Sequence, residues 1–369
     1  DVYKRQGLDG TARIWDLAES GESQTLVHEN ITEGAVFSPD GRFLITGVYE
    51  TGDVIIWDIA AGTPAVTLNQ GEGDFWEIAI SPDGQQVAAA FSNGTVAVWD
   101  LNATDEVLLR NREDYADRAF AGGATAVAFS PAGQLLASAG ENVTAFLWDP
   151  RTGSKLLTIS AHGPSATGGL FEGLFSLAFS PDGKRLATGG ADGNIMVWDI
   201  AELDAGESAE QTMTTGEELF TLSGHEAAIM DVDFSPDGRL AASSDFTGLV
   251  IVWDLEAREP LFDIRSTTST ISDVDFSPDG RYLALAGRDG LARVWDLEKQ
   301  EEWLTLYRAG SSGVCEVAFS PDNTQLVATG CRDRQARFFN LKLQDLIALA
   351  HSRLTRSLTD DTFGPYRCV

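Results

Sequence analysis

Short apolar stretches alternate with turn signals along almost the whole chain. Residues 174–222 show the pattern in full. Phe175-Ser-Leu-Ala-Phe179 has the two-residue period of a strand with one buried face. Ser-Pro-Asp-Gly then supplies a turn, and Arg185-Leu-Ala-Thr-Gly189 reads as a second strand. Asp192-Gly193 is a hairpin signal leading into Ile195-Met-Val-Trp198, and Leu219-Phe-Thr-Leu222 makes a fourth strand.

The unit recurs. Trp-Asp pairs stand at Trp15, Trp57, Trp99, Trp148, Trp198, Trp253 and Trp295, at intervals of 42, 42, 49, 50, 55 and 42 residues, with Phe339-Asn340 as a decayed copy. A second series precedes them in step: Phe37-Ser-Pro-Asp-Gly, Ile80-Ser-Pro-Asp-Gly, Phe129-Ser-Pro-Ala-Gly, Phe179-Ser-Pro-Asp-Gly, Phe234-Ser-Pro-Asp-Gly, Phe276-Ser-Pro-Asp-Gly and Phe319-Ser-Pro-Asp-Asn. Two motifs in register over seven copies mark a repeat architecture, in which each small sheet buries its faces on its neighbours.

These motifs resemble the WD-repeat β-propeller family over residues 7 to about 341. The resemblance implies an all-β, seven-bladed propeller of four-stranded antiparallel blades, occupying residues 31–342. The last blade lacks a clear fourth strand after Asn340. Residues 7–30 read as a partial repeat whose Gln24-Thr-Leu-Val27 supplies that outer strand, with residues 11–17 a remnant of an eighth copy. Residues 1–6 read as a non-native start. Residues 343–369 read as a helical tail, because Leu343, Leu346, Ile347, Ala350 and Leu354 share one helical face. The tail resembles that of bacterial propellers in larger multidomain signalling proteins, where a NACHT- or AAA-like NTPase or a kinase lies upstream.

The family pattern joins a loop His, a second-strand Ser or Thr, a turn Asp and the Trp indole in a hydrogen-bond network. The fourth blade matches best, with Thr188, Asp192, Trp198 and His162. A Gly-His pair occurs only at Gly224-His225, and His225 reads as a buried structural histidine. The turn residue is Asn at Asn93 and Asn142 and Thr at Thr51 and Thr247, which puts the full network in doubt for those blades.

Ligands of this family bind the face that carries the channel mouth. The positions four before each inner-strand Phe line that mouth: Glu33, Trp76, Thr125, Phe175, Met230, Ser272 and Cys315. Residues beside the turn add Phe246, Arg288 and Arg332. Exposed aromatics and Met are what protein interfaces use, and paired arginines can clamp a carboxylate or phosphate. The alternative is that Trp76 and Phe175 plug the channel as core. Of the insertions, residues 112–123 carry Tyr115, Arg118 and Phe120 as contact candidates, and the acidic stretch 201–218 reads as a solvated loop.

Composition narrows the function. The 369 residues are 43% hydrophobic and carry a net charge of −30. That charge speaks against a nucleic-acid phosphate backbone as partner, and no apolar run reaches the ~18 residues of a membrane span. Cys315, Cys331 and Cys368 lack metal-ligand spacing and suggest a reducing, cytoplasmic setting. No Walker loop, His-Glu-x-x-His, Cys-x-x-Cys or Gly-x-Ser-x-Gly occurs, so no cofactor or metal is expected. The reading is a non-catalytic protein- or peptide-binding scaffold or sensor. The alternative is a propeller enzyme, such as a lactonase-type hydrolase, using channel acids: Glu33, Asp231, Asp273 and Glu316.

Overall fold

Alternation on the inner strands turns one side of each to a blade interface and the other to a central channel. The computed structural model describes residues 2–6, 12–16, 22–28, 32–69, 73–101, 123–140, 143–160, 162–163, 173–201, 203, 217–265, 269–307, 313–330 and 335–341. All regular structure within them is β.

Seven antiparallel sheets form the blades of a seven-bladed β-propeller. Their inner strands are Thr32–Phe37, Phe75–Ile80, Ala124–Phe129, Leu174–Phe179, Ile229–Phe234, Ile271–Phe276 and Val314–Phe319, for blades 1 to 7. Six blades show four strands; in blade 2 the described residues supply three, and residues 102–122 lie outside them. Glu22–Val27 is the outer strand of blade 7, with Val27 opposite Gln335 and Leu26 opposite Ala336. The inner strands of blades 7 and 1 are in contact, so the ring is closed. Val2–Gln6 pairs with Ala12–Asp16 in a separate two-stranded sheet. The expected helix over 343–369 falls outside the described residues.

The core is distributed. Seven apolar clusters lie between adjacent blades, and the one joining blades 7 and 1 contains Leu26, Ala35, Phe37, Trp57 and Phe338. Phe37 packs edge-on against Phe338 at 5.8 Å. Neighbouring blades match large against small near the channel. Phe75 of blade 2 lies against Gly47 of blade 1, and Ile229 of blade 5 against Gly189 of blade 4.

The Ser-Pro-Asp-Gly turns lock by a repeated scheme. In blade 1 the Ser38 hydroxyl donates to Asp40 at 2.6 Å, and the Phe43 amide donates back to Ser38 Oγ at 2.9 Å. Gly41 closes the turn at φ 69°, which explains the glycine there. The hydrogen bonds from Ser38 and the Arg42 amide hold the Asp40 carboxyl below its ordinary range. Six of the seven turns also touch the next blade: Pro39 lies 3.5 Å from where a Cβ on Gly84 would be, and Pro82 is 3.4 Å from that of Gly133.

Candidate functional site

The turn-fixed register brings the residues four before each inner-strand Phe to one end of the channel. Trp76, Thr125, Phe175, Met230, Ser272 and Cys315, from blades 2 to 7, line a single cavity of ≈ 140 Å³, with Gly34 from blade 1 and Arg288 at its edge. Glu33 is on the inner strand of blade 1, but its side chain lies outside the described residues. Trp76 is 42% exposed, so it stands on the rim and does not plug the channel. Phe175 and Met230 are half-buried below it. Two members of the set are structural as well. The Thr125 hydroxyl donates to the Leu174 carbonyl, and the Ser272 hydroxyl donates to the Val314 carbonyl, each on the next blade.

Phe246 holds the turn position on blade 5 equivalent to Arg288 on blade 6; it is 50% exposed and does not line the cavity. Arg332, the intended partner of Arg288, is outside the described residues, as are Tyr115, Arg118 and Phe120. Cys315 is disulfide-bonded, with the other sulfur outside the described residues. This departs from the expectation of free thiols.

Acids form the cavity floor, and sequence reasoning saw only some of them. Glu77, Asp231, Asp273 and Glu316 stand one residue after the rim positions. They tie the blades together: Glu77 accepts the Val127 amide at 3.0 Å, Asp231 that of Val274 at 2.9 Å, and Asp273 that of Val317 at 2.7 Å. On blade 4 the acid is replaced by Ser176, whose Oγ accepts the Val232 amide and whose hydroxyl donates to Asp231. Asp233 and Asp275 continue the ladder deeper, accepting the amides of Phe276 and Phe319. The signal for them was the Asp-Val-Asp spacing, since residues two apart on a strand share a face.

Burial raises the carboxyls of Glu77, Asp233, Asp273 and Asp275. For Glu77 and Asp273 it acts together with the nearby charges of Asp231 and Glu316, and for Asp275 with that of Asp233. Asp233 is pushed up to about 7 by burial and the Asp231 charge, against the amides it accepts. A raised acid binds more protons folded than unfolded, so its contribution weakens as pH rises from about 4 to 7. Asp233→Asn removes the charge and keeps one of the two oxygens that accept the Phe234 and Phe276 amides. We expect the variant to exceed the wild type in stability at pH 8 by on the order of 1–2 kcal/mol, with the gain vanishing near pH 4. Urea unfolding at pH 4, 6 and 8 measures it; an equal loss at all three overturns the assignment.

The buried hydrogen-bond networks are more complete than the sequence indicated. In blade 4, His162 bonds Asp192 at 3.0 Å and Thr188 at 2.8 Å, and the Trp198 indole N–H donates to Thr188 at 3.0 Å. Burial would raise Asp192, but the hydrogen bond and charge of His162, with the amides of Asn194 and Gly163, hold it at about 2. His225 belongs to blade 5 and does not join Thr188, Asp192 and Trp198. It bonds Asp245 at 2.9 Å and Ser243 at 2.7 Å, and the Trp253 indole donates to Ser243. The turn acid there is Asp245, not the expected Thr247, which hydrogen-bonds to it. Blade 1 repeats part of it: His28 bonds Thr46 at 2.8 Å, and the Trp57 indole donates to Thr46. In blade 6 Leu285 takes the hydroxyl position, the Trp295 indole N–H has no partner among the described residues, and Asp289 pairs with Arg293.

Comparison with known proteins agrees with this architecture. A family model described as the IFT122 first beta-propeller matches residues 124–359, and the WD domain, G-beta repeat model matches residues 22–58 and 62–100. A stretch of 125 residues is 32% identical to Protein groucho of Drosophila melanogaster, covering 32% of this chain. The match spans 17% of that relative's own length.

Proposed function

The chain belongs to the IFT122 first beta-propeller family and is built of WD repeats, and from that footing we propose that it is a non-catalytic module binding a peptide segment of a protein partner at the channel mouth. The observation that carries the reading is the cavity itself. Side chains from six blades converge on it, with Gly34 of the seventh at its edge, and its rim holds a tryptophan 42% exposed to solvent beside half-buried Phe175 and Met230. A large aromatic kept at the edge of a concave, rigidly framed site is the composition of an interface anchor. The floor acids accept backbone amides from adjacent blades, which accounts for them as wall chemistry without a hydrolytic role.

Selection of a random heptapeptide display library on the wild-type chain tests the reading. Trp76→Ala and Phe175→Ala are each expected to weaken the selected peptides at least tenfold while leaving the thermal transition in place. Unchanged binding by both variants overturns it. In a longer protein we propose that the propeller is a sensor arm, with a NACHT- or AAA-like NTPase or a kinase upstream as effector. The coding sequence before residue 7 tests this by the presence or absence of a Walker or kinase signature.

A further inference from the structure

Four carboxyl groups from four different blades meet under the aromatic rim: Glu77, Asp231, Asp273 and Glu316. Each is recessed but not sealed from solvent. Among the described residues lining the cavity the one cation is Arg288, exposed at its edge. The site therefore pairs a negative floor with an exposed apolar rim. An inorganic cation would answer the floor and leave Trp76 in water. An apolar side chain would cover Trp76 and leave mutually repelling acids closed off beneath it.

We propose that this cavity receives an arginine side chain of the peptide ligand, its guanidinium on the floor carboxylates and its stem and plane against Trp76 and Phe175; the inference rests on the reading that this face binds a peptide. The chemistry favours arginine over other occupants. Its planar fork matches carboxylate oxygens, it sheds water more easily than an ammonium, and it stacks on aromatic faces.

Proton release accompanies the binding. Burial and the neighbouring charges of Asp231 and Glu316 push the Glu77 and Asp273 carboxyls well above the ordinary carboxylate range. A guanidinium arriving among them favours the ionised forms, so protons leave as the peptide binds and affinity rises with pH. The raised groups that set this linkage are Glu77 from blade 2 and Asp273 from blade 6, with the charges of Asp231 from blade 5 and Glu316 from blade 7 facing them. Asp233 and Asp275 lie below them and Arg288 above.

A heptapeptide array with the centre fixed as arginine, lysine, citrulline or glutamate and the other positions random, probed with the full chain, tests the proposal. The strongest binders are then titrated against the wild type, Trp76→Ala and Glu77→Gln/Asp273→Asn. The expected result is that arginine-centred peptides dominate and lose at least tenfold on citrulline substitution. They also weaken at least tenfold on the Glu77→Gln/Asp273→Asn variant, which keeps its fold because both substitutions retain acceptors for the Val127 and Val317 amides. Wild-type affinity should rise with pH, with calorimetric heats that depend on buffer ionisation. If citrulline, lysine or glutamate peptides bind as well as arginine while Trp76→Ala still abolishes binding, the arginine assignment fails and the peptide reading stands. Peptides indifferent to Trp76→Ala, or no binder at all, overturn both.

Discussion

Gly47→Ala is expected to cost about 3 kcal/mol or more, among the largest effects of any single methyl group in this protein. A Cβ at Gly47 would lie 2.1–2.3 Å from three atoms of the Phe75 ring. The ring cannot easily yield. It is fully buried, it meets Phe91 edge-on at 6.4 Å, and its other side is within 2.8 Å of where a Cβ on Gly34 would be. Gly47 is not at positive φ, so the penalty is steric and not conformational. The double variant Gly47→Ala/Phe75→Leu should therefore recover much of the loss, because it removes the ring that the new methyl strikes. Urea unfolding of the two single variants and the double measures the coupling. A single-variant cost below ~1 kcal/mol, or a double variant no better than Gly47→Ala, would show that the interface between blades 1 and 2 is not packed as described.

Thr188→Val comes next, at about 2–4 kcal/mol. The two side chains are nearly isosteric, so the change removes a hydroxyl without opening a cavity. It leaves the Trp198 indole N–H and the His162 ring nitrogen without their shared partner in a buried setting, at ~1–3 kcal/mol for each. The acid limb should move as well. Asp192 is held at about 2 through His162, so its stabilisation is present above about 4 and is lost as pH falls toward 2. A loosened His162 lets Asp192 rise toward its ordinary value, and less of the wild-type stability remains to be lost between pH 4 and pH 2. Stability curves at pH 7, 4 and 2 test both statements. A loss under ~0.5 kcal/mol at pH 7 would mean that the network is not cooperative.

Register explains how much could be read beforehand. The Phe-Ser-Pro-Asp-Gly turn sets which residue of each inner strand faces the channel, so Trp76, Phe175 and Met230 could be placed at one opening although 99 and then 55 residues separate them in sequence. Choices settled by local geometry were harder to see. In Ser243-Ser-Asp-Phe-Thr247 two positions could serve as the turn acid, and only the closed hairpin decides for Asp245. Arg293 was invisible as a substitute for a loop histidine because its partner, Asp289, had already been assigned to the standard network. The raised carboxyls were out of reach for another reason. Glu77 is perturbed by acids on blades 5 and 7, more than 150 residues away along the chain, and no short motif encodes that proximity.

The strand Glu22–Val27 gives the molecule a long wait during its synthesis. Its partner, Gln335–Asn340, follows about 300 residues later, and at roughly 5–20 residues per second a ribosome needs on the order of 15–60 s to deliver it. For that interval the segment carrying Leu26 has no blade 7 to enter, and blade 1 has no neighbour on that side. The nascent chain is an open arc with two unsealed ends, and it becomes a ring in one late step. That step, more than the assembly of any single blade, is where a chaperone or a competing strand would decide the yield of folded protein.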